Sequence, residues 1–248
     1  MEPYQVIFIG DHHPQEDLHK KIAELITSLS AKNVKVHLAN EWFYPSDERT
    51  LSAFTNNDIN ESQFLKDIQW EKRLTYYPYS SFKPMYEAVK KSKGKLHGIN
   101  LSKKQRQKIS DQNLSAMTKE DLAFNKSLDL NVSVHQQLVM PYLRHCHAPK
   151  KGESLEACAQ RMYRVQVAWD SKMALESYKL AQPLKENEKL LVFAGSMHME
   201  NGLGIPLRFS RLSKLPALSI IPVDSQTKEV PHALGNFLIF YQENISED

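Results

Sequence analysis

Along the chain, short apolar runs alternate with longer stretches in which apolar residues recur at helical spacing. The runs cover residues 6–9, 34–39, 96–99, 190–194, 218–223 and 237–241. Each is too short for a stable helix and mostly apolar, the pattern of strands buried on both faces of a sheet. Between the first two runs, Leu18, Ile22, Leu25, Ile26 and Leu29 mark one face of a helix. Pro14 suits its first position, and Glu16 and Asp17 suit the positive end of its dipole. Further helices are predicted over 82–91 and over 155–181. The longer one carries an apolar stripe of Cys158, Met162, Val165, Trp169, Met173 and Leu180. Strand and helix in alternation predict an α/β fold, a parallel sheet flanked by helices.

The pattern breaks after residue 101. Amphipathic pieces rich in Lys, Gln and Ser replace the strands and predict a smaller all-helical insert over 102–152. The insert would pack on an α/β core formed by 1–101 and 153–248, a size that suits 248 residues.

Composition narrows the class without naming a ligand. Hydrophobic residues make up 41% and charged residues 25%, the balance of a folded globular chain. A net charge of +3 is too small to argue for a nucleic-acid partner. No run approaches the ~18 apolar residues that a membrane span needs. The first residues lead into the first strand without a secretory signal, so the sequence as it stands reads as cytoplasmic. A periplasmic or lipoprotein location is the alternative if an upstream signal was removed. Two cysteines, Cys146 and Cys158, can form one bridge at most. In a chain that starts inside the cell, buried thiols are the preferred reading.

Polar corners follow the strands. The first leads into Gly10-Asp11-His12-His13, the second into Asn40-Glu41-Trp42-Phe43, the third into Asn100 and the fourth into Gly195-Ser196-Met197-His198. Open parallel sheets bind ligands at this carboxyl edge, so residues distant in sequence are expected to meet there. Gly10 and Gly195 suit a sharp turn at positive φ or a close backbone approach. His13, Glu41 and His198 then form either a His/Glu/His set for a divalent metal ion or, without metal, a general base beside two imidazoles. Both imply a hydrolase of peptidase or esterase type. Taken singly, His12, His19, His37 and His97 read as structural, with His19 either reaching back to the corner or facing solvent.

A second constellation lies in and beyond the insert: Tyr142, His145, Cys146, His147, Lys150 and Lys151, with Tyr163 and the Gln166/Asp170 pair on the long helix. Tyrosinate and histidine are haem ligands, and lysines pair with propionates as point charges. The plainer reading is a loop with surface lysines and core aromatics. His-Cys-His lacks the paired spacing of a structural zinc site. Residues 90–108 hold eight Lys or Arg and no acid, a run that either collects an anionic ligand or membrane surface or is simply solvated. It lacks the interleaved aromatics of single-strand nucleic-acid grooves. Dinucleotide, phosphate-loop and Gly-x-Ser-x-Gly motifs are absent from the sequence.

These motifs in this order resemble the ChaN-like haem-binding proteins of the Tiki superfamily. The resemblance rests on Gly10-Asp11-His12-His13 with His19, on Glu41-Trp42-Phe43, and on Trp70 with Tyr79 to Pro84. It continues through Asn100-Leu101, His145-Cys146, Gln166, Asp170, Met173-Ala174, Gly195 to His198, and Gly204-Ile205-Pro206. Asp11 stands where the family pattern has Glu, which shortens a carboxylate, and the lipoprotein signal common in the family is not seen. The resemblance implies haem binding linked to iron acquisition. It also implies a tyrosine ligand, for which Tyr163 and Tyr142 are the candidates. Propionate contacts from His145, Lys150 and Lys151 would form across a homodimer assembled on haem. The wider superfamily includes metal-dependent proteases whose histidines and glutamate match His13, His198 and Glu41.

Overall fold

The computed structural model describes residues 3–146 and 149–242. Six strands form one sheet: β1 (Val6–Asp11), β2 (Lys35–Asn40), β3 (Leu96–Gly98), β4 (Glu188–Gly195), β5 (Ala217–Asp224) and β6 (Phe237–Tyr241). Their order is β3-β2-β4-β1-β5-β6, and every pairing is parallel. The α/β class read from the sequence is the one observed.

Alternation along each strand builds two cores from one buried segment. In β1, Ile7 and Ile9 face Leu18, Ile22 and Ile26 of α1 (Glu16–Ser30) and Phe82 and Met85 of α5 (Tyr79–Lys91). Val6 and Phe8 face the other way, onto Met173 and Ala174 of α9 (Leu155–Ala181) and Phe209 of α10 (Ile205–Leu212). Burying one such Ile or Phe stabilises by about 1.5–3 kcal/mol, so the sheet is held from both sides.

Several elements depart from the expectation. Pro14 lies ahead of α1, whose N-cap is Gln15. Between β2 and α5 the chain forms α2 (Glu48–Thr55), α3 (Glu61–Ile68) and α4 (Trp70–Arg73), none of which the pattern predicts. They are too short to show helical periodicity, and aromatic packing holds them, as where Phe54 stacks on Phe64 at 4.1 Å. The sixth strand is not buried on both faces: it is a sheet edge with Phe237 and Phe240 half exposed.

Residues after β3 are helical as expected, in α6 (Lys103–Asp111), α7 (Lys119–Lys126) and α8 (Ser133–Leu143). They rest on α9 through one small cluster with Leu101, Ile109, Met117 and Ala168, and another with Val139, Tyr163 and Val167. α9 buries a wider arc than its predicted stripe, and Gln166 and Asp170 lie within that arc. Cys146 and Cys158 are joined in a disulfide with Cα atoms 6.0 Å apart, not free thiols. The loop after α8 brings Cys146 back against the first turn of α9, which places the sulfurs together. No helix among the described residues is long and apolar enough to cross a membrane.

Candidate functional site

Strand register brings the corners together. Asp11 at the end of β1 lies opposite Gly195 of β4, and Asn40 at the end of β2 lies opposite Phe193 of the same strand. Three adjacent strands thus finish at one edge, and His13, Glu41 and His198 close around Gly195. A Cβ on Gly195 would lie 3.2 Å from His13 Cε1, 3.7 Å from Glu41 Oε2 and 3.8 Å from His198 Cδ2. The Gly195 N–H donates to Glu41 Oε2 at 2.6 Å, and Glu41 Oε1 stands 3.7 Å from His198 Nε2. Close approach, not positive φ, is what the two glycines provide. Gly195 has φ −48, and a Cβ on Gly10 would meet Pro222 Cδ and Ser196 Oγ at 2.8 Å.

Each corner histidine is backed by a buried carboxylate. Asp11 bonds His13 Nδ1 at 3.0 Å and His19 Nε2 at 2.8 Å. His19 therefore reaches back from α1 to the corner, and its other nitrogen lies 2.8 Å from Ser81 Oγ. The shorter Asp11 spans both imidazoles. On the opposite side, Asp170 Oδ1 of α9 bonds His198 Nδ1 at 2.5 Å, and Gln166 Nε2 lies 2.9 Å from the same nitrogen. The far oxygen of Asp170 is 3.2 Å from His135 Nε2 and 3.6 Å from Arg208 Nη1.

Charge pairing outweighs burial at both ends. Burial alone would raise the Asp170 carboxyl, but His135, His198 and Arg208 hold it down at about 2. Burial would lower His198, yet Glu41 and Asp170 leave it above its ordinary value. His13 is raised in the same way, burial being overcome by Asp11 and Glu41 against the repulsion of His198. Its ring is fixed edge-on by Trp42 at 4.7 Å and Tyr77 at 5.1 Å. The site is thus two histidine–carboxylate pairs facing one glutamate. Among the described residues, no group of three or more His, Cys, Asp or Glu is arranged to hold a metal ion, so a divalent ion at His13, Glu41 and His198 finds no support.

Of the second constellation, Gln166 and Asp170 join the corners through His198, and so does Tyr142. It is 60% exposed on α8 and lines a cleft of about 650 Å³ together with His13, Glu41, His198 and Leu138. Sequence reading kept these sites apart; the packing of α8 on α9 joins them. Tyr163 is buried, with its hydroxyl 3.3 Å from His135 Nδ1. His145 and Lys151 are exposed, Lys150 pairs with Asp111 at 2.6 Å, and His147 falls outside the described residues. His12 meets the Tyr241 hydroxyl at 2.9 Å, while His37 and His97 stack on each other. Sequence reasoning missed His135, Arg208, Ser81 and Tyr77. Gln166 and Asp170, polar at i and i+4 on the buried face of α9, were read with the second constellation and not with the corner they serve.

A parallel open sheet with a charged pocket at its carboxyl edge defines a ligand-binding or catalytic α/β protein. The chain belongs to the family described as haem-binding uptake, Tiki superfamily, ChaN, whose model matches residues 1–209. Among solved structures, ChaN of Campylobacter jejuni in cofacial haem binding is similar at a TM-score of 0.71 and 20% identity, over 97% of this chain and 88% of that one. The type III effector HopBA1 is similar at 0.52 and 16%, again over 97% and 88%. At these identities the likeness is one of fold. No curated protein matches the chain.

Proposed function

We propose that the protein binds haem on the exposed face of α8, with the Tyr142 phenolate as the iron ligand. The observation that carries this reading is an aligned apolar face that ends in an open phenol. Val134 is 55% and Tyr142 60% exposed, with Leu138 between them at four-residue spacing. Haem is a flat apolar plate whose iron accepts tyrosinate, which fits Val134 and Leu138 beneath it and Tyr142 at the metal. Tyr163 fits less well, because it is buried against His135 and burial raises its pKa. His145 and Lys151, exposed and close after Tyr142 in sequence, are the propionate partners in this reading, Lys150 being engaged by Asp111.

Family membership supports the same reading. A ligand on an open helix face suits cargo that is taken up and handed on, hence a role in iron acquisition. A second copy stacking its own α8 face would cover the haem, making a homodimer on haem binding. The Cys146–Cys158 disulfide supports an oxidising compartment such as the periplasm. Hemin titration followed by visible absorption tests the core of the proposal. A saturating spectrum distinct from free hemin is expected, and a spectrum of free hemin throughout would sink it.

A second reading rests on the two histidine–carboxylate pairs converging on Glu41. It is a hydrolase of peptidase or esterase type in which Glu41 is the general base and His13 and His198 stabilise developing negative charge. Turnover of nitrophenyl esters should fall by about 10²–10⁴ in Glu41→Gln. Wild-type rates no faster than buffer, across short and long acyl chains, would remove it.

A further inference from the structure

A second cleft, of about 570 Å³, shares His13 and Glu41 with the first and is otherwise lined by different residues. Lys72 and Arg73 of α4 and Lys103 and Arg106 of α6 converge on it, and Glu41 is the one acid among its described lining residues. Arg73 is committed elsewhere. It grips both oxygens of Asp47 at 2.7 and 3.1 Å and lies 4.8 Å over the Tyr44 ring. Lys72, Lys103 and Arg106 form no ion pair with a carboxylate among the described residues. The Arg106 guanidinium stands 5.8 Å over Trp169.

Such convergence costs repulsion unless an anion enters, and low-dielectric walls strengthen the field that draws one in. The basic run of residues 90–108 now divides. Lys90 pairs with Glu87 and Lys108 with Asp121, whereas Lys103 and Arg106 reach the cleft. Much of the remaining wall is aromatic, beside Gln69, Leu74, Asn100 and Leu101: Trp42 and Tyr77 lie 4.9 Å apart beside His13, and Trp169 lies beneath Arg106. Aromatic faces and a cation cluster together favour a ligand that is flat and apolar at one end and charged at the other.

The geometry points to this cleft as a binding site for a small aromatic anion, its phosphate or carboxylate held by Lys72, Lys103 and Arg106 and its ring against Trp42, Tyr77 and Trp169. Glu41 repels a second negative charge, so the uncharged end of the ligand faces Glu41 and His13. This inference stands apart from the haem reading, whose ligand face is on α8. If the hydrolase reading holds, it names the substrate class.

Isothermal titration of the full chain with phenyl phosphate, phenol and inorganic phosphate tests it. Phenyl phosphate should bind with a Kd of about 1 mM or tighter, and phenol and phosphate alone at least about tenfold more weakly. Lys103→Glu and Arg106→Glu should each weaken phenyl phosphate about tenfold while circular dichroism and Tm stay unchanged. Should one of these fail to fold, exposed Lys72→Glu carries the same test. Tyr142→Phe should leave phenyl phosphate binding untouched. Equal binding of phenol, indifference to the charge reversals, or no heat from phenyl phosphate would overturn the inference. So would loss of hemin binding in the charge reversals with its retention in Tyr142→Phe, because the cleft would then be the haem site.

Discussion

Asp170 shows how one buried side chain can organise a site. It is fully buried and serves His198 and His135, with Arg208 3.6 Å away. Replacing it with Asn removes the charge and leaves Arg208 and His198 without their buried carboxylate, a loss on the order of 3–5 kcal/mol in urea unfolding. The pH dependence has a definite sign. The folded carboxyl sits at about 2 against 3.8, so its stabilisation is complete above pH 3.8 and is lost as pH falls toward 2. His198 is raised above 6.5, so its share is complete below pH 6.5 and is lost as pH climbs through the folded value. Wild-type stability should therefore gain most over Asp170→Asn between pH 3.8 and 6.5. A difference independent of pH would contradict the pairing. The three site residues His13, Glu41 and His198 were legible because glycine and strand ends mark them. Asp170 was visible as a polar residue in the family helix motif, but its partner was not, since helix spacing says nothing about which strand end lies beneath.

At the scale of elements, the proposed haem face of α8 and the disulfide in the loop after it make separate predictions for binding and stability. Val134→Lys lies on the exposed face, so unfolding free energy should change by less than about 0.5 kcal/mol while hemin affinity falls. A stability loss with unchanged hemin binding would mean that this face packs against protein instead. The disulfide beyond α8 closes a short loop of 12 residues, and Cys158→Ser should cost about 2–3 kcal/mol. Equal denaturation midpoints with and without reductant would contradict it. The long elements α1, α5 and α9 could be read from periodicity because each buries several turns. The short helices α2 to α4 could not, for they owe their form to contacts such as Phe54 on Phe64. β6 misled because apolar composition does not distinguish a central strand from an exposed edge.

The whole molecule joins two surfaces that the sequence kept apart. Parallel register carries three strand ends to one edge, and α9 carries the helical region to that same edge, so Tyr142 and the Glu41 corner share a cleft. Haem on α8 should drive self-association, seen in sedimentation as a doubling of mass on adding hemin and absent without it. The most direct measurement of the central claim is the visible spectrum of hemin with wild type, Tyr142→Phe and Tyr163→Phe, recorded side by side. The account predicts a tyrosinate-ligated spectrum for wild type and Tyr163→Phe and its loss in Tyr142→Phe. Retention of that spectrum in Tyr142→Phe would contradict it.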